Sequence, residues 1–395
     1  MSVGPTEQWP ASGIDLLSPA VLAHPAPYER DLRDLGACVR LTRHDVLGVF
    51  RDAEARAVLE DEADFQPMPP AVPVETAAVP LVRRTALAAV DSLGGWIDEH
   101  AARLTDETLA RGEVFDGAAL ARRFLADVVI RMTGLSEDAR DRRPFVEAVD
   151  HVTGDGAGAA LLGGSVRRAA AMAGHLRARV SRESVAAGSW MDTLFGGADV
   201  RGISDPGMVS LAAECVTTGL DTAVHGICCA LHTLTTHPWL WADLRELHVT
   251  GAGVFHEALR LDPLIPGAYR RAARDTIVGG LRVRPGEVVW VSSRSADSDP
   301  RRWGEDANRV IVPRARSGEY LAFGTGPFSG VGKTLAEHAA DRLLAALAYR
   351  CTGLALSGEP ERLRDTPGRP WVSLSLKATL HGGRRRTVSD CQVGE

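Results

Sequence analysis

Long hydrophobic runs are the first thing missing from this sequence. None of its apolar stretches approaches the roughly 20 residues that a membrane helix needs. The first residues are polar and contain proline, with no basic stretch leading into an apolar one, so no signal peptide is expected. A surplus of positive charge is absent too. Lys and Arg total 45 against 51 Asp and Glu, a net charge of −6, which leaves no basic footprint for a nucleic acid. The run Arg384-Arg385-Arg386 reads as a solvated tail. The six cysteines (Cys38, Cys215, Cys228, Cys229, Cys351 and Cys391) lack CxxC spacing, and in a chain this long they predict free thiols in a reducing cytoplasm.

What is present is an ordinary globular composition, 45% hydrophobic and 24% charged over 395 residues. No internal repeat and no clean linker divides it, so residues 1–395 are read as one domain with a loose arm up to about residue 14 and a polar tail from about residue 384. Tyr28 to Leu35 reads as a helix, Cys38 to Thr42 and Leu47 to Arg51 as a small hairpin, and Glu54 to Glu60 as a short helix. Gln66 to Pro80 holds five prolines and no aromatic residue, which predicts a loop. From Leu81 to about Ala187 the pattern is helical, broken at Gly112, Gly134, Gly154 to Gly164 and Gly188.

Ser204 or Asp205 can cap the longest helix, with Pro206 in its first turn, and it runs to about Thr236. Its middle is apolar almost all round, so it should cross the interior. Gly219, Asp221 and Thr222 interrupt it, and a polar patch inside a buried helix is a functional candidate because a buried carboxylate needs partners. Helices are expected over Trp239 to Leu247 and Val254 to Leu261, a small sheet over Tyr269 to Val291, a long meander over Ser292 to Arg316, and a hairpin around Trp371 to Leu380. The class is therefore mainly α with a small β region.

The chain is organised around Tyr320 to Ala336, where a short apolar run enters a glycine-rich loop that opens into a helix. Glycines there let backbone approach a ligand, and the helix start offers free N–H groups. A Walker phosphate loop would need glycine five positions before Gly332, and Pro327 stands there.

Four segments in order resemble the cytochrome P450 family over most of the chain. Glu257-Ala258-Leu259-Arg260 resembles its ExxR helix, and Asp306-Ala307-Asn308-Arg309 the segment whose arginine completes that ion-pair triad. Thr218 to Thr222 resembles the oxygen-activating groove of the central helix. Phe323-Gly324-Thr325-Gly326 and Leu335-Ala336 frame the haem-binding loop at the family's spacing. The resemblance implies a cytochrome P450 fold and makes Glu257, Arg260 and Arg309 a structural triad. It also implies Arg270 as a contact for a haem propionate or another anion.

At the ligand the sequence departs from the family. The resemblance puts the iron-binding cysteine at Gly330 and a basic residue at Phe328. Glycine has no side chain to supply the thiolate on which the family's O–O cleavage depends. The arginine-bearing stretch Leu81 to Arg84 lacks the family's histidine. Ser329 is one position off, His338 lies about 12 Å further along the helix, and Cys351 is further still, so none replaces the ligand.

The expectation is a P450-like protein without thiolate-ligated haem and with no cofactor, a differently ligated haem being the alternative. Lys333 at the helix start is a candidate anion contact. Asp221 and His225, four apart on one helix face, form with Thr222 a candidate acid–base group. Three functions follow. The first is a haem-independent tailoring enzyme acting on a small molecule by cyclisation, dehydration or isomerisation. The second, implied by cysteine-less relatives, is an accessory protein for a partner biosynthetic enzyme such as a glycosyltransferase. The third is a haem oxidase with an unusual axial ligand. No metal, nucleic acid or membrane partner is expected.

Overall fold

In the computed structural model, residues 9–68, 79–135, 174–325, 331–364 and 366–380 are described. The start of the arm, most of the proline-rich excursion, the glycine cluster 154–164, Phe328 to Gly330 and the tail lie outside them. The described chain is mainly helical with small sheets, as the sequence implied. None of its helices is long and apolar enough to cross a membrane.

The N-terminal region gives helices α1 (Pro19–Ala23), α2 (Pro25–Leu35) and α3 (Asp52–Glu60), and strands β1 (Ala11–Ser12), β2 (Cys38–Leu41), β3 (Val46–Val49) and β4 (Phe65–Met68). The arm is tied down earlier than the sequence suggested, because β1 pairs in parallel with Arg40 and Leu41. Strands β2 and β3 form the expected hairpin. Strands β6 (Gly267–Ala272) and β9 (Val288–Ser292) complete a six-stranded sheet in the order β1-β2-β3-β9-β6-β4. Between them β7 (Thr276–Val278) and β8 (Leu281–Val283) form a two-residue hairpin. Gly279 and Gly280 turn it with φ of 57° and 82°, the positive values that tight hairpin turns require.

One face of the large sheet buries Leu47, Val49, Val289 and Val291 against Val58 and Leu59 of α3 and against Leu321, so the sheet seats the start of the glycine-rich loop. Its other face covers Leu32 of α2.

The helical body comprises α4 (Val79–Arg111), α5 (Gly117–Thr133), α6 (Trp190–Arg201), α7 (Asp205–Thr236), α8 (Pro238–Arg245), α9 (Gly251–Leu261) and α10 (Val331–Arg350). The Ser204 hydroxyl caps α7, accepting from the Gly207 N–H at 3.3 Å, with proline in the first turn. Ile227, Cys228, Ala230, Leu231 and Leu234 of α7 are fully buried, and removing such side chains from water stabilises by about 1.5–3 kcal/mol for each large one. Helix α7 packs on α5, α9 and α10, and α10 also lies along α4.

The expected hairpin over 371–380 does not form. Strand β12 (Trp371–Ser373) pairs with β11 (Glu361–Arg362), whereas β13 (Ser375–Leu380) lies between β10 (Cys351–Leu356) and β5 (Val114–Asp116). Leu374 is the hinge. It is fully buried, and its N–H donates to the Asp116 carboxylate at 2.9 Å, so the chain turns inward there instead of reversing on itself. The described cysteines are all free thiols.

Candidate functional site

The approach to the glycine-rich loop is held by buried charge. Glu257 and Arg260, 3% and 1% exposed, form a double hydrogen bond with both distances 2.8 Å. A buried carboxylate is favourable only when such bonds satisfy it. Arg260 also donates through Nη1 to the carbonyls of Asp297 at 2.6 Å and Ala307 at 2.7 Å, and it stacks on Trp303.

The second guanidinium on Glu257 is not that of Arg309, as the sequence suggested, but that of Arg314, whose Nε lies 2.8 Å from Oε1. The Arg309 side chain points outward, and it is its main-chain carbonyl that accepts from Arg314, at 3.1 Å. Sequence pattern cannot separate Arg309, Arg314 and Arg316, which share one irregular stretch. Only the path of the backbone does.

Asp297, fully buried, receives the Leu321 N–H at 2.8 and 2.9 Å on its two oxygens. Burial raises its carboxyl well above the usual range. The Tyr320 hydroxyl lies 3.1 Å from Nδ1 of His256, and the other ring nitrogen is 3.4 Å from Glu337. Lys333 donates to the Gly318 carbonyl, sits 3.6 Å from Glu337 and lies over the Tyr320 ring. Its ammonium is engaged within the fold by these contacts. Gly330 and Phe328 lie outside the described residues. His338 is directed toward Gly94 of α4.

The candidate acid–base group on α7 does not assemble. His225, 2% exposed, places Nε2 at 2.9 Å from the Asp262 carbonyl and 3.3 Å from Cys229 Sγ. Its Nδ1 has no hydrogen-bond partner, so neither ring nitrogen bonds Asp221. Asp262 follows the last turn of α9, where carbonyls lack intrahelical donors, and that oxygen captures the imidazole N–H. Burial lowers the His225 pKa to about 4 and keeps the ring neutral. Thr222 is buried, and Asp221 is partly exposed on the same helix.

The resemblance would place a haem between the groove at 218–222 and the glycine-rich loop. There the two helices touch. A Cβ built on Gly219 of α7 lies 2.7 Å from Gly332 Cα of α10, and one built on Gly332 runs into Gly219 Cα. With a C–C bond of about 1.5 Å, the two backbones are no more than about 4 Å apart. A flat ring between them needs contact distances of about 3.5–4.0 Å on each face, so a separation of roughly 7–8 Å. No flat ring fits between Gly219 and Gly332 themselves, and loop residues 326–330, which precede α10, lie outside the described residues.

Beside the contact is a cleft of about 400 Å³ of empty space, mouth included, lined by Val90, Val129, Met132, Trp190, Leu220 and Leu335 among others. Asp221, Thr222, His225, Arg270 and Lys333 do not line it. Arg270, on β6, is partly buried and donates to the Tyr269 carbonyl at 3.0 Å, with no carboxylate among the described residues in ion-pair reach. Burial lowers its pKa, against the pull of Glu62.

Comparison with known proteins aligns with this architecture. The family model described as Cytochrome P450 matches residues 239–368. Cytochrome p450 CYP199A2 of Rhodopseudomonas palustris is 28% identical over 400 residues, spanning 94% of this chain and 95% of its own. Luteothin monooxygenase of Streptomyces thioluteus is 31% identical over 158 residues, 40% of this chain and 39% of that protein. The solved structure of Cytochrome P450 CYP109Q5 from Chondromyces apiculatus superposes with a TM-score of 0.74 at 24% identity, covering 94% of this chain and 99% of that one.

Proposed function

The chain belongs to the cytochrome P450 family, and from that premise we propose that it works without a thiolate-ligated haem, as an accessory protein in small-molecule biosynthesis and not as a monooxygenase. The reading is supported by the close backbone contact of Gly219 with Gly332, which holds α7 against α10 beside the loop. The sequence supports it independently, since Gly330 has no side chain with which to bind iron. The accessory role is favoured over haem-independent acid–base chemistry because His225 is bonded to the Asp262 carbonyl and the cleft beside Gly219 is lined by apolar side chains. The luteothin monooxygenase relative supports a small-molecule context.

One feature favours a second reading. Arg270 keeps a partly buried guanidinium without a carboxylate partner among the described residues, which suits a propionate of a haem held by another axial ligand.

Titration of the purified protein with haemin separates the two. The proposal expects no Soret band beyond that of free haemin, both for the natural chain and for Gly330→Cys. A stoichiometric Soret band in the natural chain overturns it in favour of the second reading. The accessory role further expects a biosynthetic enzyme to gain activity when this chain is added, and turnover of a small molecule by the chain alone would refute that role.

A further inference from the structure

Six residues along α7 from Gly219, about 9 Å at the helical rise, three ligand chemistries converge. His225 and Cys229 stand one turn apart on the same helix face, both buried, and Asp262 approaches from the end of α9. One ligand atom from each lies within 4.8 Å of the others. Cys229 Sγ is 3.3 Å from His225 Nε2 and 3.8 Å from Asp262 Oδ2. Ligands bound at about 2.0–2.3 Å around a tetrahedral zinc ion stand roughly 3.5 Å from one another. Both pairs that involve Cys229 are near that spacing, and the third lies within 4.8 Å. The Asp262 carbonyl, 2.9 Å from Nε2 and 3.8 Å from Sγ, supplies a fourth ligand atom on the same side.

We propose that His225, Cys229 and Asp262 form a structural site for a zinc-like divalent cation, closed by the Asp262 carbonyl. The groups around it are those that orient such ligands. Trp371 Nε1 donates to Cys229 Sγ at 3.2 Å, a bond that strengthens when the sulfur is a thiolate. Arg362 Nη1 at 2.6 Å and Arg369 Nη2 at 3.2 Å fix the two oxygens of Asp262. In the metal-free cluster the imidazole proton sits on Nε2 and faces the carbonyl. Loading moves it to Nδ1, which has no other partner, and releases the Cys229 thiol proton to solvent, one proton per ion. Because two guanidiniums flank the carboxylate, the thiolate must carry most of the attraction. That selects zinc-like ions over magnesium or calcium, which prefer all-oxygen ligands. With His225 and Cys229 buried and Asp262 half-buried, the site is of the kind that holds structure together, here tying α7 to α9 and β12.

The test is titration of the full chain, stripped with a chelator, with Co²⁺ and then Zn²⁺. The expected result is one equivalent of Co²⁺ bound with a thiolate-to-cobalt charge-transfer band, displaced by Zn²⁺, and one proton released per ion. Cys229→Ser and His225→Ala should abolish the band, whereas Cys228→Ser, changing the neighbouring thiol, should retain it. Trp371→Phe should weaken binding about 10- to 100-fold. The band and the proton release are read on the natural chain, so they stand even where a variant fails to fold. Absence of a thiolate band, a band that survives Cys229→Ser, or uptake by exposed histidines alone, an adventitious ion only, overturns the proposal.

Discussion

Replacing Gly219 by alanine tests the closure of α7 on α10 through the sign of its effect. In a helix interior alanine is favoured over glycine by about 0.8–1 kcal/mol. Were the two helices held apart, Gly219→Ala would stabilise the protein by about that amount. In the structure the new methyl lies 2.7 Å from Gly332 Cα, and a backbone atom cannot swing aside as a side chain can. Forcing such a group into packed structure costs typically about 1–3 kcal/mol. The net expectation is therefore a loss of up to about 2 kcal/mol. Gly95 of α4 and Gly196 of α6 provide the control, since a Cβ at either meets nothing within 4 Å. Alanine at those sites should raise stability by about 0.5–1 kcal/mol. The assay is urea unfolding followed by circular dichroism, with midpoints compared at unchanged slope. If Gly219→Ala is as stabilising as Gly95→Ala, the helices stand apart in solution, and the reasoning from their contact fails.

Three further substitutions probe the groups around the loop. Arg314→Ala should cost about 1–3 kcal/mol, because it leaves buried Glu257 with one guanidinium in place of two, whereas Arg309→Ala should stay within about 0.5 kcal/mol. Equal losses in thermal unfolding would restore Arg309 to the triad. For His256, burial and the neighbouring Lys333 charge lower the pKa from 6.5 to about 4. The unfolded chain then takes up the proton first, so this contribution is complete above pH 6.5 and is lost as the pH falls toward 4. It should amount to on the order of 2–3 kcal/mol. His256→Asn, which can still meet the Tyr320 hydroxyl, should flatten stability over that window, and an unchanged pH profile would refute the assignment.

Local chemistry carried much of the fold in the sequence. The cap at Ser204, the hairpin of β2 and β3 and the turn at Gly279-Gly280 each depend on residues within a few positions of one another, so their signals survive in one dimension. The ExxR pair is equally local, since three residues on a helix fix its geometry. What the sequence hid is what distance decides. Arg314 reaches Glu257 only because an irregular backbone turns the Arg309 side chain outward. His225 and Asp221 are four apart on one helix, yet the ring nitrogen reaches the Asp262 carbonyl, 37 residues away. Strand β13 was read as the return arm of a hairpin because its alternation is real, while its pairing with β5 depends on a segment more than 250 residues earlier.

The order of strands in the large sheet also governs how the chain can be made. Strand β9 covers the open side of β3, with Leu47 opposite Val289, so the two partners are separated by about 240 residues of chain. A ribosome adding about 5–20 residues per second needs roughly 12–50 s to deliver the second after the first. Throughout that interval the four residues of β3, all buried in the finished sheet, present unpaired backbone to whatever strand is nearby. The nascent protein thus carries an adhesive edge until residue 292 has emerged, and faster translation shortens the window in which a chaperone must shield it.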